Sequence, residues 1–191
     1  MHPPLEILSK ARALLSEHGQ LRSQPASDWR GSFPLPQDIA RLYNEIGPVD
    51  VTIRTYGNPY FLPSLAKLWE FQAGYRWHGF TGERLADWDD NWVVVAGQGG
   101  DPFIFDRASS SVLYALHGQG VWAPDRWSSD LPTMVACLSI LGSVVRDAGN
   151  DFMDDDFNVR PAQRERAIAR ITEIVGDRSE AQAIVGLAGW G

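Results

Sequence analysis

The sequence holds one cysteine, Cys137, in 191 residues. An internal disulfide is therefore impossible, and the reducing cytoplasm is the expected compartment. Long apolar runs are missing too; Trp92-Val93-Val94-Val95-Ala96 is among the longest. Nothing approaches an uninterrupted stretch of about 20 apolar residues, so no membrane partner is expected. The opening Met1-His2-Pro3-Pro4, with Glu6 close behind, has neither a basic n-region nor an apolar h-region. A secretory signal is not expected from it. Basic charge is scarce: 17 Lys and Arg stand against 24 Asp and Glu, a net charge of −7. Phosphate backbones need a basic stripe, so direct nucleic-acid binding is disfavoured, while a basic protein partner fits.

Familiar enzyme motifs are also absent. There is no G-x-S-x-G, H-E-x-x-H, Walker loop or Cys/His ligand set. Gly97-Gln98-Gly99-Gly100 is glycine-rich, but a strand follows it, so it reads as a hairpin turn and not as a phosphate cradle. Cys137 falls near an apolar helical stripe with no histidine beside it and reads as a small buried hydrophobe. Asp154, Asp156 and Asn158, with Glu165 further on, match calcium-loop spacing, but Val159 occupies the position that demands glycine. No metal and no cofactor is expected.

What is present is an ordinary globular mix, 44% hydrophobic and 21% charged. Residues 5–18 have a helical stripe of Ile7, Leu8, Ala11, Leu14 and Leu15, and 20–34 read as a loop. Pro36 opens a second helix that Gly47-Pro48 stops. The period then falls to two, predicting a strand over 49–55, and Ser64 is positioned to cap a short helix ending by Gly74. Residues 75–91 show no period. Strands are expected at 92–96, with both faces apolar as in a central strand, and at 103–106 and 111–116. Trp122 to Trp127 reads as a surface loop. Asp130 caps a long helix, and helices follow over 161–175 and about 179–187. Short turns between strands and segregated helices predict an α+β fold with a mainly antiparallel central sheet flanked by helices. The expected divisions are an N-terminal helix and linker (1–27), an α+β domain (28–149) and a helical C-terminal extension (150–191).

Charge and aromatics coincide in one region. Residues 78–101 carry Glu83, Asp87, Asp89, Asp90 and Asp101 against Arg84 alone. Trp77, Trp88, Trp122 and Trp127 fall in polar, aperiodic stretches beside Asp87, Asp89, Asp90, Asp125 and Asp130. Such tryptophans either pack down as core or present aromatic anchors inside an acidic rim, the make-up of a protein-binding face. The candidate partner-binding set is Trp77, Trp88, Asp89, Asp90, Gln98, Asp101, Trp122, Asp125 and Trp127. A different class of function, a small hydrolase or metal-dependent enzyme, would use the cluster Asp87, Asp89 and Asp90 as paired carboxylates.

The order of these signals resembles a known family. Phe33-Pro34-Leu35-Pro36-Gln37-Asp38-Ile39 is similar to the entry helix of the SUKH superfamily, the Smi/Knr-type proteins. Trp92–Ala96 followed by Gly99-Gly100-Asp101-Pro102-Phe103-Ile104-Phe105-Asp106 resembles that family's central hairpin, and Ser128-Ser129-Asp130-Leu131 its last helix start. The resemblance covers about residues 28–147. It departs at Glu45-Ile46-Gly47-Pro48, where the family often has Asn-Gly. It implies a non-catalytic α+β domain. Bacterial members look like immunity proteins that bind and neutralise polymorphic toxins, often nucleases, and fungal members are regulatory interaction proteins. A toxin domain would then be the basic partner.

Overall fold

A computed structural model describes residues 5–190; Met1 to Pro4, where no secretory signal is expected, lie outside them. Six α-helices and one antiparallel sheet make an α+β fold among the described residues. The helices are α1 (Leu5–Leu15), α2 (Gln37–Glu45), α3 (Leu65–Leu68), α4 (Leu131–Ala148), α5 (Pro161–Val175) and α6 (Arg178–Leu187). The strands are β1 (Val51–Ile53), β2 (Tyr60–Leu62), β3 (Trp92–Gln98), β4 (Asp101–Asp106), β5 (Val112–Tyr114) and β6 (Asp125–Ser128). They lie side by side in chain order, each antiparallel to the next. β3 is thus an inner strand, buried from Val93 to Gly97, as its two-sided apolar pattern implies.

Local chemistry sets the boundaries. β1 starts later than expected because Asp50 takes a left-handed conformation (φ 50°). Its carboxylate accepts from the Ser64 amide at 3.0 Å and hydroxyl at 3.1 Å, and pairs with Lys67 at 2.7 Å. Ser64 therefore precedes α3 without capping it through its own hydroxyl, which corrects the expected cap. β2 has no period to betray it: three residues between Pro59 and Pro63, paired as Val51 with Leu62 and Ile53 with Tyr60. The Gly99-Gly100 turn forms the tight β3–β4 hairpin, with φ of 61° and 108° that side chains rarely adopt. Asp130 caps α4 as expected, accepting from the Thr133 amide at 2.8 Å.

The core has α4 at its centre. Every residue from Leu131 to Val144 is buried, because α1, α2, α5, β1 and β6 all pack around the helix. Helix and following turn, Leu131–Phe152, are long and apolar enough to cross a membrane by length and composition. The sequence has no uninterrupted run there because Thr133, Ser139, Gly142 and Ser143 break it; 78% of the apolar window is nonetheless inside the protein. Cys137 is fully buried, and burial pushes its thiol far up, away from thiolate chemistry. Leu8, Ala11 and Leu15 of α1 and Ile168, Ile171, Ile184 and Val185 of the C-terminal helices join the same core as Val93, Phe103 and Phe105 of the sheet.

The opposite sheet face has a cover of another kind. Val94, Ile104 and Ala115 point away from the helices, and Trp88 seals them under the irregular segment that precedes β3.

Candidate functional site

Residues 69–91 lack regular structure beyond one 3-10 turn and isolated bridges, so side chains hold them in place. Gln72 is fully buried. Its amide nitrogen donates to Leu68 O and to Val94 O, and its oxygen accepts from the Val94 amide, each at 2.8 Å. It thereby ties the segment to β3 just before the bulge at Val95. Trp88 lies beneath, 1% exposed, with its indole nitrogen 3.3 Å from Trp92 O. Tyr75, Trp92 and Trp122 ring it, at centroid distances of 5.6, 5.3 and 5.4 Å. Tyr75 donates to Gly100 O at 3.0 Å and so links this cluster to the hairpin turn.

The candidate partner-binding residues therefore separate. Trp88 and Trp127 are 1% and 2% exposed and are corrected to core side chains. Trp127 is not on a loop at all: it sits on β6, edge-on to Phe103 at 5.1 Å. Sequence alone hid β6 because only Trp127 and Ser128 of its four residues are buried. Trp77 is half-buried but belongs to a different cluster, its ring tilted against Trp69 at 4.8 Å, with Trp29 and Phe33 continuing it. Trp122 alone of the four is half-buried against the Trp88 cluster.

The carboxylates divide in the same way. Asp90 pairs with Arg84 at 2.8 Å and with Arg76 at 3.4 Å, and its carbonyl accepts from Arg76 and Arg107. Those two guanidiniums flank the Phe33 ring, at 5.4 and 4.5 Å. Asp90 is a counter-ion to these arginines, and its side chain stays 74% exposed at the surface. Asp101 accepts from the His117 amide at 2.7 Å, faces the His117 ring at 2.6 Å and receives Tyr114 Oη at 3.3 Å. Its role is to shape the turn after β5. Gln98 donates to Asn58 O at 3.1 Å, and Asp89 accepts from the Asn91 amide at 2.7 Å. Asp87 and Asp125 stay exposed.

Between those two acids the chain raises a ridge that the sequence did not single out. Leu116 is 54% exposed and Val121 is 66% exposed. A cleft of about 300 Å³ on one side is lined by Leu85, Asp87, Gln119 and Trp122. Another of about 500 Å³ on the other side is lined by Tyr114, Asp125 and Leu187. Phe80, 97% exposed, stands at the tip of a turn in the same irregular segment as Trp88. Phe80 and Val121 lie next to glycine turns with no helix or strand to bury them, whereas Leu116, expected to end the strand at 111–116, falls two residues beyond β5.

Among the described residues, no three His, Cys, Asp or Glu side chains converge as a metal site. Asp154 accepts from the Asp156 and Asn158 amides at 3.0 and 2.8 Å, a local turn, and α5 begins at Pro161 inside the would-be calcium loop. Of Asp87, Asp89 and Asp90, the last is engaged by arginines and Asp89 accepts from the Asn91 amide. In comparisons with protein-family models, curated proteins and solved structures, nothing matches this chain.

Proposed function

We propose that this protein is a non-catalytic binding module for a basic protein, working in the cytoplasm. The observation that carries the reading is the exposed apolar ridge Leu116–Val121, set between two clefts with Asp87 and Asp125 at their edges. Exposed apolar side chains flanked by two acids suit a protein interface, where anchors set the off-rate and rim charges speed encounter. Trp122 is the best-supported anchor, because the buried Trp88 ring fixes it from behind. The resemblance of residues 28–147 to the SUKH superfamily favours a toxin domain as the partner, bound and neutralised by this face.

The test is capture of the partner in the native host, followed by surface-binding kinetics on purified variants. Trp122→Ala and Leu116→Asp should each raise the off-rate about 30-fold, the equivalent of about 2 kcal/mol. Asp87→Asn should slow association and reduce its salt dependence with little change in off-rate. If the captured protein binds all three variants like the parent, this face is not the interface.

A further inference from the structure

A cleft that shares no lining residue with those beside the ridge lies where the end of α1, β1 and α4 meet. It measures about 900 Å³, within the range of small-molecule sites. Gly142 lines it: a Cβ there would collide with the Ile53 side chain and come within 3.1 Å of the His18 ring, so glycine is needed where α4 meets β1.

The polar groups around this cleft are unevenly matched. Glu17 is the acid that lines the cleft, and Arg146 neutralises it at 2.9 Å. Arg146 also lies 3.2 Å from Asp147, which Arg166 holds at 3.0 Å, so two acids and two bases close that chain of charge. Arg54 lines the same cleft, exposed, with no hydrogen bond or ion pair among the described residues. It is an uncompensated cation on a chain of net charge −7. The Thr52 hydroxyl, exposed on β1, lies two residues from it. His18 completes the set. Its Nε2 is 2.9 Å from Ser139 O, a carbonyl that can only accept, so Nε2 carries the proton and Nδ1 keeps its lone pair. Burial holds the ring below its ordinary pKa, which keeps that lone pair available at neutral pH.

We propose that this cleft binds a small polyol anion, its phosphate or carboxylate on Arg54 and a hydroxyl donating to His18 Nδ1. The shared chemistry is an anionic head beside a hydroxyl donor. The site is independent of the protein-binding ridge.

Amide and imidazole resonances of the isotope-labelled protein report the test, with glycerol phosphate and gluconate as the two anionic probes and glycerol as the neutral one. Saturable shifts at His18, Thr52 and Arg54 with either anion, and none with glycerol, support the proposal; which anion binds identifies the head group. Arg54→Gln should weaken binding about tenfold, as loss of a charged hydrogen-bond partner does. Arg22→Gln, an exposed arginine outside the cleft, should bind like the parent. Arg54 is exposed, so its variant should melt at the parent temperature and report binding alone. The proposal is overturned if neither anion moves these resonances at millimolar concentration, or if Arg54→Gln binds as the parent does.

Discussion

The two faces of one sheet are covered by different means. On the inner face, helices lay periodic apolar stripes over Val93, Phe103, Phe105 and Val112, and α4 is buried from Leu131 to Val144. On the outer face, Val94, Ile104 and Ala115 lie beneath a segment with almost no regular structure, sealed by Trp88 and pinned by Gln72. Under the helices, burial is shared among dozens of side chains, so no single one defines the cover. The outer cover depends on a few anchors, each with no substitute nearby. Such thinly anchored regions open locally at lower cost than a core helix does. Leu116 and Val121 border that lightly built side, lining one cleft with Trp122 of the outer cluster.

The sharpest way to break this comparison is Trp88→Ala. A buried tryptophan truncated to alanine costs about 3–5 kcal/mol. Chemical denaturation should show that loss, and hydrogen exchange should quicken first across 71–91 while α4 amides stay protected. A loss below about 1 kcal/mol would mean that the outer cluster is not a core.

Gln72→Ala comes next. It removes three hydrogen bonds and strands the Val94 amide and carbonyl inside the protein. Unsatisfied buried groups of this kind cost about 1–3 kcal/mol each, so a loss of about 2 kcal/mol or more is expected. Gln72→Glu keeps the size and one acceptor but loses the donors, so it should not restore stability. A neutral result for both would show that the segment is held by apolar contact alone.

The contrast between faces is also a contrast in legibility. The helices of the inner face were readable because a 3.6-residue period declares which side is buried; α5 begins and ends where Pro161 and Gly176 say it should. The β3–β4–β5 meander was readable from turn chemistry. Gln72 and Gln24 were not, because a glutamine looks solvent-facing until its partners are known: Gln24 is 2% exposed, bridging Pro48 O and the Leu65 amide. β2 and β6 are too short to show a period, and β2 reaches β3 only across the irregular 69–91 segment. In the candidate site, the mixture of aromatics and acids was visible. Which tryptophans face inward, and that arginines engage Asp90, depend on contacts that no local pattern announces.

A smaller effect tests the inner face at its α1–α4 seam. Burial lowers the pKa of His18 in the folded protein below its ordinary value of about 6.5. The unfolded chain then binds the proton more readily, so stability is full above about pH 6.5 and falls as the pH drops through the folded pKa. Denaturation of the parent at pH 7 and pH 5 should show this loss, and His18→Gln should show less of it. Equal pH dependence in the two proteins would remove His18 from the account.

The smallest expected effect separates surface from cover. Phe80 is 97% exposed, and the turn that presents it is built by its neighbours: the Phe80 and Thr81 amides donate to His78 Nδ1 at 3.3 and 3.2 Å. Nothing in the fold rests on the Phe80 ring, so Phe80→Ser should change stability by less than about 0.5 kcal/mol. Singly exposed apolar side chains are ordinary on protein surfaces, so Phe80 counts as interface only if a partner covers it. The same variant should weaken a captured partner while its melting curve overlays the parent's. If affinity is also unchanged, Phe80 lies outside the contact area, and the interface narrows to the Leu116–Val121 ridge and Trp122. If stability drops instead, the ring packs on the outer cover in solution, and the division between anchors that seal the sheet and side chains that face a partner has to be redrawn at this turn.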